Sequence, residues 1–210
     1  MALTVVGTRN EQNLAAGASS TALRQGQRGQ LIAGIVGGKY GEDTLSGQLF
    51  HGMTAVTGVA PGTAVGTTAA FALANASGST RNLVILSARL GYVSGTLGAG
   101  VITWCRTAAG GAAVTGTAIT AHNGLTGQGN AAVGLPFTTA TLPATPTVFR
   151  VFGSLLPMLA TSVVQPWILE DLVDGGIIVA PGCAVSLQFT GGAGTSPLVT
   201  YSCNWLEVPI

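Results

Sequence analysis

Charged side chains are scarce in this chain. Of its 210 residues only 7% are Asp, Glu, Lys or Arg, whereas a typical soluble domain has about 25%. The formal net charge is +1, and no clustered Lys and Arg form the basic patch that nucleic-acid binding requires. We therefore expect no nucleic-acid partner. Net charge normally keeps copies of a protein apart, so this weakly charged surface favours a subunit packed in an assembly over a β-protein that merely carries few charges.

Long apolar runs are absent too, although 47% of the residues are hydrophobic. No run approaches the roughly 20 apolar residues of a membrane-spanning helix, and we expect no membrane partner. The first residues, MALTVVGTRNEQN, have neither the basic start nor the apolar stretch of a secretory signal. We therefore predict no signal peptide, and the few cysteines favour synthesis in a reducing compartment.

Cysteine and histidine are few as well. Cys105, Cys183 and Cys203 are odd in number and widely spaced, which predicts neither a disulfide framework nor a zinc site. Nucleophilic catalysis needs a base beside the nucleophile, and His51 and His122 are the only histidines. We interpret His51 as a core or interface residue and His122 as a turn residue. We predict no catalytic residue, no cofactor or cofactor-binding residue and no metal ligand.

The acidic side chains cluster once, at Glu170, Asp171 and Asp174. Such a group could bind calcium or form a glycosidase-like pair, but nearby residues supply only backbone oxygens. We interpret the cluster as a solvated turn before a strand. Four arginines stand nearly alone in predicted strands, and each should have a specific acceptor, either across an interface or within the subunit at Glu170, Asp171 or Glu207. They are Arg81, Arg89, Arg106 and Arg150.

The composition divides the chain into two regions. Residues 1–47 are rich in Gln, Gly, Ser and Ala and hold nearly half of the charged residues. They predict an extended N-terminal arm that gains order on binding; a disordered tail is the alternative. Residues 48–210 change to short apolar segments separated by Gly, Pro, Asn and Ser, which predict a β-domain.

The β-domain should contain about eight strands. Period-2 alternation places Val185, Leu187 and Phe189 on one face, with Ser186 and Gln188 on a wet or partner-facing side. Since no βαβ rhythm occurs, we predict an all-β fold, an antiparallel jelly-roll β-sandwich. The strand segments are 49–56, 69–76, 81–93, 100–106, 147–153, 175–180, 184–190 and 198–208.

The connections are less regular. Residues 119–146 predict a loop excursion with one short strand, and a turn or two of helix is expected around Trp167–Leu172. The stretches VAPGTAV (59–65) and VAPGCAV (179–185) share only these seven positions, not their flanks. Pro followed by Gly is typical of a type II turn, so both predict loop tips between strands.

Two parts of the chain resemble known structural proteins. The stretches GKYGEDTLSGQLFHG (38–52) and FALANASGSTRNLVILSARLGYVSGTLGAGVITW (71–104) look like small structural proteins of tailed bacteriophages. The closing ILEDLVDGGIIVAPGCAVSLQFTGGAG…YSCNWLEVPI also resembles the last strands of tumour-necrosis-factor-like jelly rolls. The resemblance implies a virion component and carries over no active-site residue.

These observations favour a non-enzymatic capsid decoration (cement) protein on the capsid exterior, synthesised in the bacterial cytoplasm. Its expected partners are further copies of itself, as a homotrimer, and the major capsid protein, which the arm 1–47 would contact. The alternative is a head-fibre or tail module that binds a receptor or carbohydrate. In that case exposed aromatic side chains, with Tyr92, Trp104 and Trp167 as candidates, would stack on sugar rings; a core position is the other interpretation.

Overall fold

The structure is a computed structural model that describes residues 39–108, 113–127, 130–155 and 168–210. Most of these residues lie in β-strands. Within these ranges α1 (Gly41–Leu45) is the single helix, and no helix could span a membrane. The strands are β1 (Leu49–Met53), β2 (Thr68–Asn75), β3 (Arg81–Ser94), β4 (Gly100–Ala108), β5 (Thr115–Ala118), β6 (His122–Asn123), β7 (Gly134–Thr141), β8 (Thr147–Leu155), β9 (Ile168–Val179), β10 (Cys183–Gly191) and β11 (Leu198–Pro209).

The strands form two antiparallel sheets. Sheet I has the order β6-β1-β11-β3-β9, and sheet II has the order β5-β7-β2-β10-β4-β8. Both belong to one compact unit, Glu42–Ile210. This confirms the prediction of an all-β protein with two antiparallel sheets. Strands β8 and β9, which are neighbours in the sequence, each lie at the edge of their sheet.

The core lies between the sheets and follows the predicted alternation. Trp205 on β11 stacks on Phe50 of β1 with ring centroids 6.1 Å apart, and Trp104 on β4 meets Phe152 of β8 edge-on at 6.2 Å. Such aromatic pairs add about 0.5–1.5 kcal/mol each to the effect of burial. The core-facing residues of β10 and β11 are Val185, Leu187, Phe189, Val199, Tyr201, Cys203 and Trp205.

The opposite side of β10 differs from the prediction. Ser186 and Gln188, expected on a wet face, are only 1% and 2% exposed. The Gln188 side chain makes two hydrogen bonds with Gly66: Oε1 accepts from the backbone N at 2.8 Å, and Nε2 donates to the backbone O at 2.9 Å. The connection between β1 and β2 therefore packs against the outer side of sheet II and satisfies a buried amide.

All eight predicted strand segments overlap strands of the structure, but residues 119–146 are not the expected loop excursion. They contain β6 and β7, and β5 comes just before them. Strand β7 pairs with β2 on one side and β5 on the other. Proline usually argues against an inner strand. Pro136 is tolerated here because it contributes its carbonyl, which accepts from the backbone N of Ile119 at 2.9 Å.

The helix expected around Trp167–Leu172 is also wrong where the structure describes the segment. Strand β9 begins at Ile168 and pairs with β3, with Leu169 opposite Leu90. Leu169 packs against the core, so pairing with a distant strand overrides the local pattern. Trp167 and residues 1–38, which make up most of the predicted arm, lie outside the described residues.

The two VAPG stretches have similar glycines but different turns. Gly62 and Gly182 both have left-handed φ values, 82° and 77°, which favour glycine. The N of Cys183 donates to the O of Ala180 at 3.1 Å, so the second copy closes the predicted type II turn between β9 and β10. The first copy lies in the longer β1–β2 connection, where Val59 bridges to Val199.

Candidate functional site

A partly buried carboxylate links the two sheets where edge strand β8 of sheet II lies beside edge strand β9 of sheet I. Asp171 Oδ2 accepts from Trp104 Nε1 at 2.9 Å and from Arg150 Nε at 3.0 Å. Its Oδ1 accepts from Arg150 Nη2 at 2.7 Å. The side chain of Asp171 is 12% exposed. These contacts make Asp171 a bridge between strands β4 and β8 of sheet II and strand β9 of sheet I.

The prediction that the acidic cluster is a solvated turn is therefore wrong. Its three members lie within strand β9. Glu170 forms an ion pair with Arg89 at 2.7 Å on neighbouring strands. Asp174 has a left-handed φ of 55° where β9 bulges away from β3. Glu170 and Asp171 each form an ion pair with an arginine, so the two carboxylates do not form the unpaired acid–base pair that a glycosidase needs.

The predicted acceptors of the arginines are found inside the subunit for three of the four. Arg89 and Arg150 pair with carboxylates of β9, and Arg81 Nη1 donates to the backbone O of Glu207 at 3.5 Å. Arg106 is exposed and forms no ion pair with any residue in the described ranges. The alternative of pairing within the subunit is thus confirmed for Arg89 and Arg150.

Both edge strands, β8 and β9, carry exposed apolar side chains. Val148 and Val151 of β8 pair with Cys105 and Thr103, the positions that flank core-facing Trp104, so both lie on the outer side of sheet II. On β9 the exposed apolar side chains alternate with core residues and lie on the outer side of sheet I. We call the group the edge patch: Val148, Phe149, Val151, Leu172 and Ile178.

Of the aromatic residues considered for sugar stacking, Trp104 is not available for it, and Tyr92 is partly buried. Trp104 is 0% exposed. Tyr92 packs against the core and donates its hydroxyl to the backbone O of Gly95 at 2.6 Å. Trp167 lies outside the described residues. The core interpretation is confirmed for Trp104.

The two histidines meet on the outer side of sheet I. His51 on β1 lies directly opposite His122 on β6. His122 is therefore a strand residue rather than the predicted turn residue, and it is exposed. His51 is half-buried and is bound to a side chain of β11, since its Nδ1 lies 2.8 Å from Asn204 Oδ1. The local sequence does not predict that these three residues are neighbours, because their proximity depends on the register between distant strands.

Two of the three cysteines, Cys105 and Cys203, are buried as the sequence predicts, and Cys183 is half-buried. Burial raises the pKa of the Cys203 thiol to about 12. Burial also raises the pKa of Cys105, with a smaller opposing effect from a hydrogen bond with Thr103. A thiolate is the reactive form of cysteine, so neither thiol is prepared for nucleophilic catalysis. All three cysteines are free.

A second buried carboxylate also has a structural position. Glu207 is 1% exposed, and its Oε1 accepts from the backbone N atoms of Val133 and Gly134 at 2.7 and 2.8 Å. The same oxygen lies 3.3 Å from Trp205 Nε1, which donates to it. This carboxylate fixes the start of β7 against β11. It is committed to three protein donors.

One cavity lies beside β2 and β10. It measures about 180 Å³ and is lined mainly by small apolar side chains, among them Ala74, Val114 and Phe137, together with Cys183. No His, Asp or Glu lines it. Across residues 39–108, 113–127, 130–155 and 168–210, no group of three or more His, Cys, Asp or Glu side chains comes together.

The chain matches no protein-family model, no curated protein and no solved structure. Function therefore has to be inferred from the residues and their geometry.

Proposed function

We propose that the protein is a non-enzymatic structural subunit that self-associates through the edge patch, and that it serves as a capsid decoration protein of a tailed bacteriophage. One observation carries the proposal. Apolar side chains are exposed together on β8 and β9, with Val151 61% and Leu172 69% exposed, while the carboxylates beside them are already paired. Exposed apolar side chains on edge strands, which still have free backbone groups on one side, indicate a surface for association with another chain.

The strand order supports a jelly roll as the framework. When β5–β7 are left aside, sheet I has the order β1-β11-β3-β9 and sheet II the order β2-β10-β4-β8. Each connection then crosses from one sheet to the other, except the one between β4 and β8. Two interleaved Greek keys of this kind define a jelly roll, an architecture that recurs in viral capsid proteins.

The occupant of the edge patch is a second copy of the chain, and a homotrimer is the expected assembly. Edge strands are templates for association, and natural proteins commonly protect them with charged side chains. Here Arg150 and Glu170 are drawn into ion pairs inside the subunit. Each of these two charges is therefore balanced by an opposite charge of the same chain.

Sedimentation analysis of the oligomer tests self-association. Val151→Arg places a charge in the edge patch and should reduce the assembly to single chains. The matched control is Val56→Arg, because Val56 is 78% exposed in the β1–β2 connection, away from this edge. A monomeric wild-type protein, or a Val151→Arg variant that keeps the wild-type mass, would contradict the proposal.

Capsid binding is tested separately, by co-sedimentation with capsids that lack this protein. The expected contact runs through the arm 1–47. A variant without residues 1–40 removes most of that arm but keeps Gly47, whose O accepts from Asn123 Nδ2 at 2.8 Å. We expect this variant to remain an oligomer and to lose capsid binding. Normal binding by the variant would exclude the arm as the contact, and binding of wild type to glycans but not to capsids would favour the receptor-binding alternative.

A further inference from the structure

We propose that His51 and His122 form a binding site for a divalent transition-metal ion on the outer side of sheet I. The two residues are directly opposite each other on antiparallel strands β1 and β6. Side chains at directly opposite positions point to the same side of a sheet, with Cβ atoms about 4.5–5.5 Å apart. Two imidazoles at this spacing can hold one ion between them, at about 2.0–2.1 Å from each nitrogen.

A hydrogen-bonded relay prepares His51 for this role. Asn204 Nδ2 donates to Ser87 Oγ at 3.0 Å, which leaves Asn204 Oδ1 facing His51 Nδ1 at 2.8 Å. A carboxamide oxygen only accepts hydrogen bonds, so Nδ1 carries the proton and Nε2 keeps its lone pair. Metal-binding histidines typically donate their second nitrogen to such a partner, which fixes the tautomer and the ring.

Gly124 leaves space beside the free nitrogen. A Cβ atom at this position would lie 3.2 Å from His51 Nε2, so the imidazole extends from β1 over β6. Because residue 124, directly after β6, has no side chain, no Cβ atom crowds Nε2 from that position. The same strand presents the exposed His122.

Strand β6 is short, but its neighbours hold it in register. Asn123 Nδ2 donates to the O of Gly47 at 2.8 Å, and its Oδ1 accepts from the N of Leu125 at 2.8 Å. The N of Gly124 donates to the O of Leu49 at 2.8 Å. These three bonds fix the backbone immediately beyond the His51–His122 pair, on the side of Asn123.

The chemistry of the donors defines the ligand. Neutral imidazoles suit Zn²⁺, Ni²⁺ and Cu²⁺, whereas Ca²⁺ and Mg²⁺ prefer oxygen ligands. The site offers two protein nitrogens, so water occupies the other positions of the ion. This role goes beyond the proposed structural function and does not depend on it.

Isothermal titration of the untagged protein with Zn²⁺ tests the proposal, since the chain contains only these two histidines. We expect saturable binding of one ion per chain. His122→Ala, which alters an exposed side chain, should weaken the affinity at least tenfold. Asn204→Leu removes the acceptor for Nδ1 and should weaken the affinity about 10- to 100-fold, while Asn204→Asp keeps an acceptor and should retain binding.

Two controls separate the site from other sources of binding. Cys183→Ser removes the half-buried thiol, and the proposal requires that Zn²⁺ affinity stays unchanged in this variant. Circular dichroism checks that each variant is folded, and His122→Gln serves as a second variant at the exposed position. Absence of saturable binding by wild type would overturn the proposal, as would wild-type affinity in the folded His122 variants.

Discussion

The substitution Asp171→Ala removes the acceptor that joins the two sheets, and its cost follows from two unlike donors. Trp104 is fully buried, so its indole N–H loses its partner without gaining water. Leaving a buried donor unsatisfied costs about 1–3 kcal/mol. The side chain of Arg150 is 41% exposed and is solvated when released, so the lost ion pair adds at most about 1 kcal/mol.

We therefore expect Asp171→Ala to lower the free energy of unfolding by about 2–3 kcal/mol, mainly through Trp104. In a protein of this size that corresponds to a decrease in Tm of about 4–12 °C. Asp171→Asn keeps an oxygen that can accept from the indole and should cost about half as much. Arg150→Ala keeps the indole bond but leaves Asp171, whose side chain is 12% exposed, without its cation, so it should cost about 1–2 kcal/mol, less than Asp171→Ala.

Urea unfolding followed by tryptophan fluorescence measures the series. The matched control is Glu170→Ala. Glu170 lies next to Asp171 on β9, and its ion pair with Arg89 of β3 joins side chains that are 35% and 52% exposed. This control should change stability by less than about 1 kcal/mol. If Asp171→Ala were no more destabilising than Arg150→Ala or Glu170→Ala, the indole hydrogen bond would not be the main contribution.

Two further predictions concern buried polar groups. Glu207→Leu leaves two backbone N–H groups and the Trp205 indole without their acceptor. It should lower the free energy of unfolding by about 3 kcal/mol or more and speed amide hydrogen exchange at Val133 and Gly134. Glu207→Gln keeps an acceptor and should cost less, and equal costs of the two substitutions would show that these donors do not need an acceptor at residue 207. Tyr201→Phe removes a buried hydroxyl without a hydrogen-bond partner, so urea unfolding should show unchanged or slightly higher stability at pH 7. Burial raises the pKa of Tyr201 above its ordinary 10.0 and that of Cys203 from 9.0 to about 12. The unfolded chain therefore loses these protons at lower pH than the folded chain, and the free energy of unfolding falls as pH rises above about 9. Tyr201→Phe should reduce this fall above pH 10, and an unchanged slope in the variant would exclude Tyr201 as its source.

Local patterns predicted the inner strands well because those strands carry a period that burial imposes. Val185, Leu187 and Phe189 face the core as their alternation indicates. The failures have a common physical reason. Strand β9 and residues 119–146 gain their structure from pairing with distant strands, and such pairing overrides local propensity. Pro136 and the glycines of that region predicted a loop, since both residue types are rare in inner strands. The sequence does not show which of their backbone groups pair with a neighbouring strand.

The candidate sites depend on register, which lies still further from the sequence. His51, His122 and Asn204 lie on three strands, and a shift of one residue in any pairing would turn a side chain to the opposite side of the sheet. The observed register depends on Asn123, whose side chain bonds both Gly47 and Leu125. A polar residue in a turn-like stretch is the only local signal for this arrangement. The hydrogen bonds of Asp171 could not be predicted either, because its donors Trp104 and Arg150 lie on the distant strands β4 and β8.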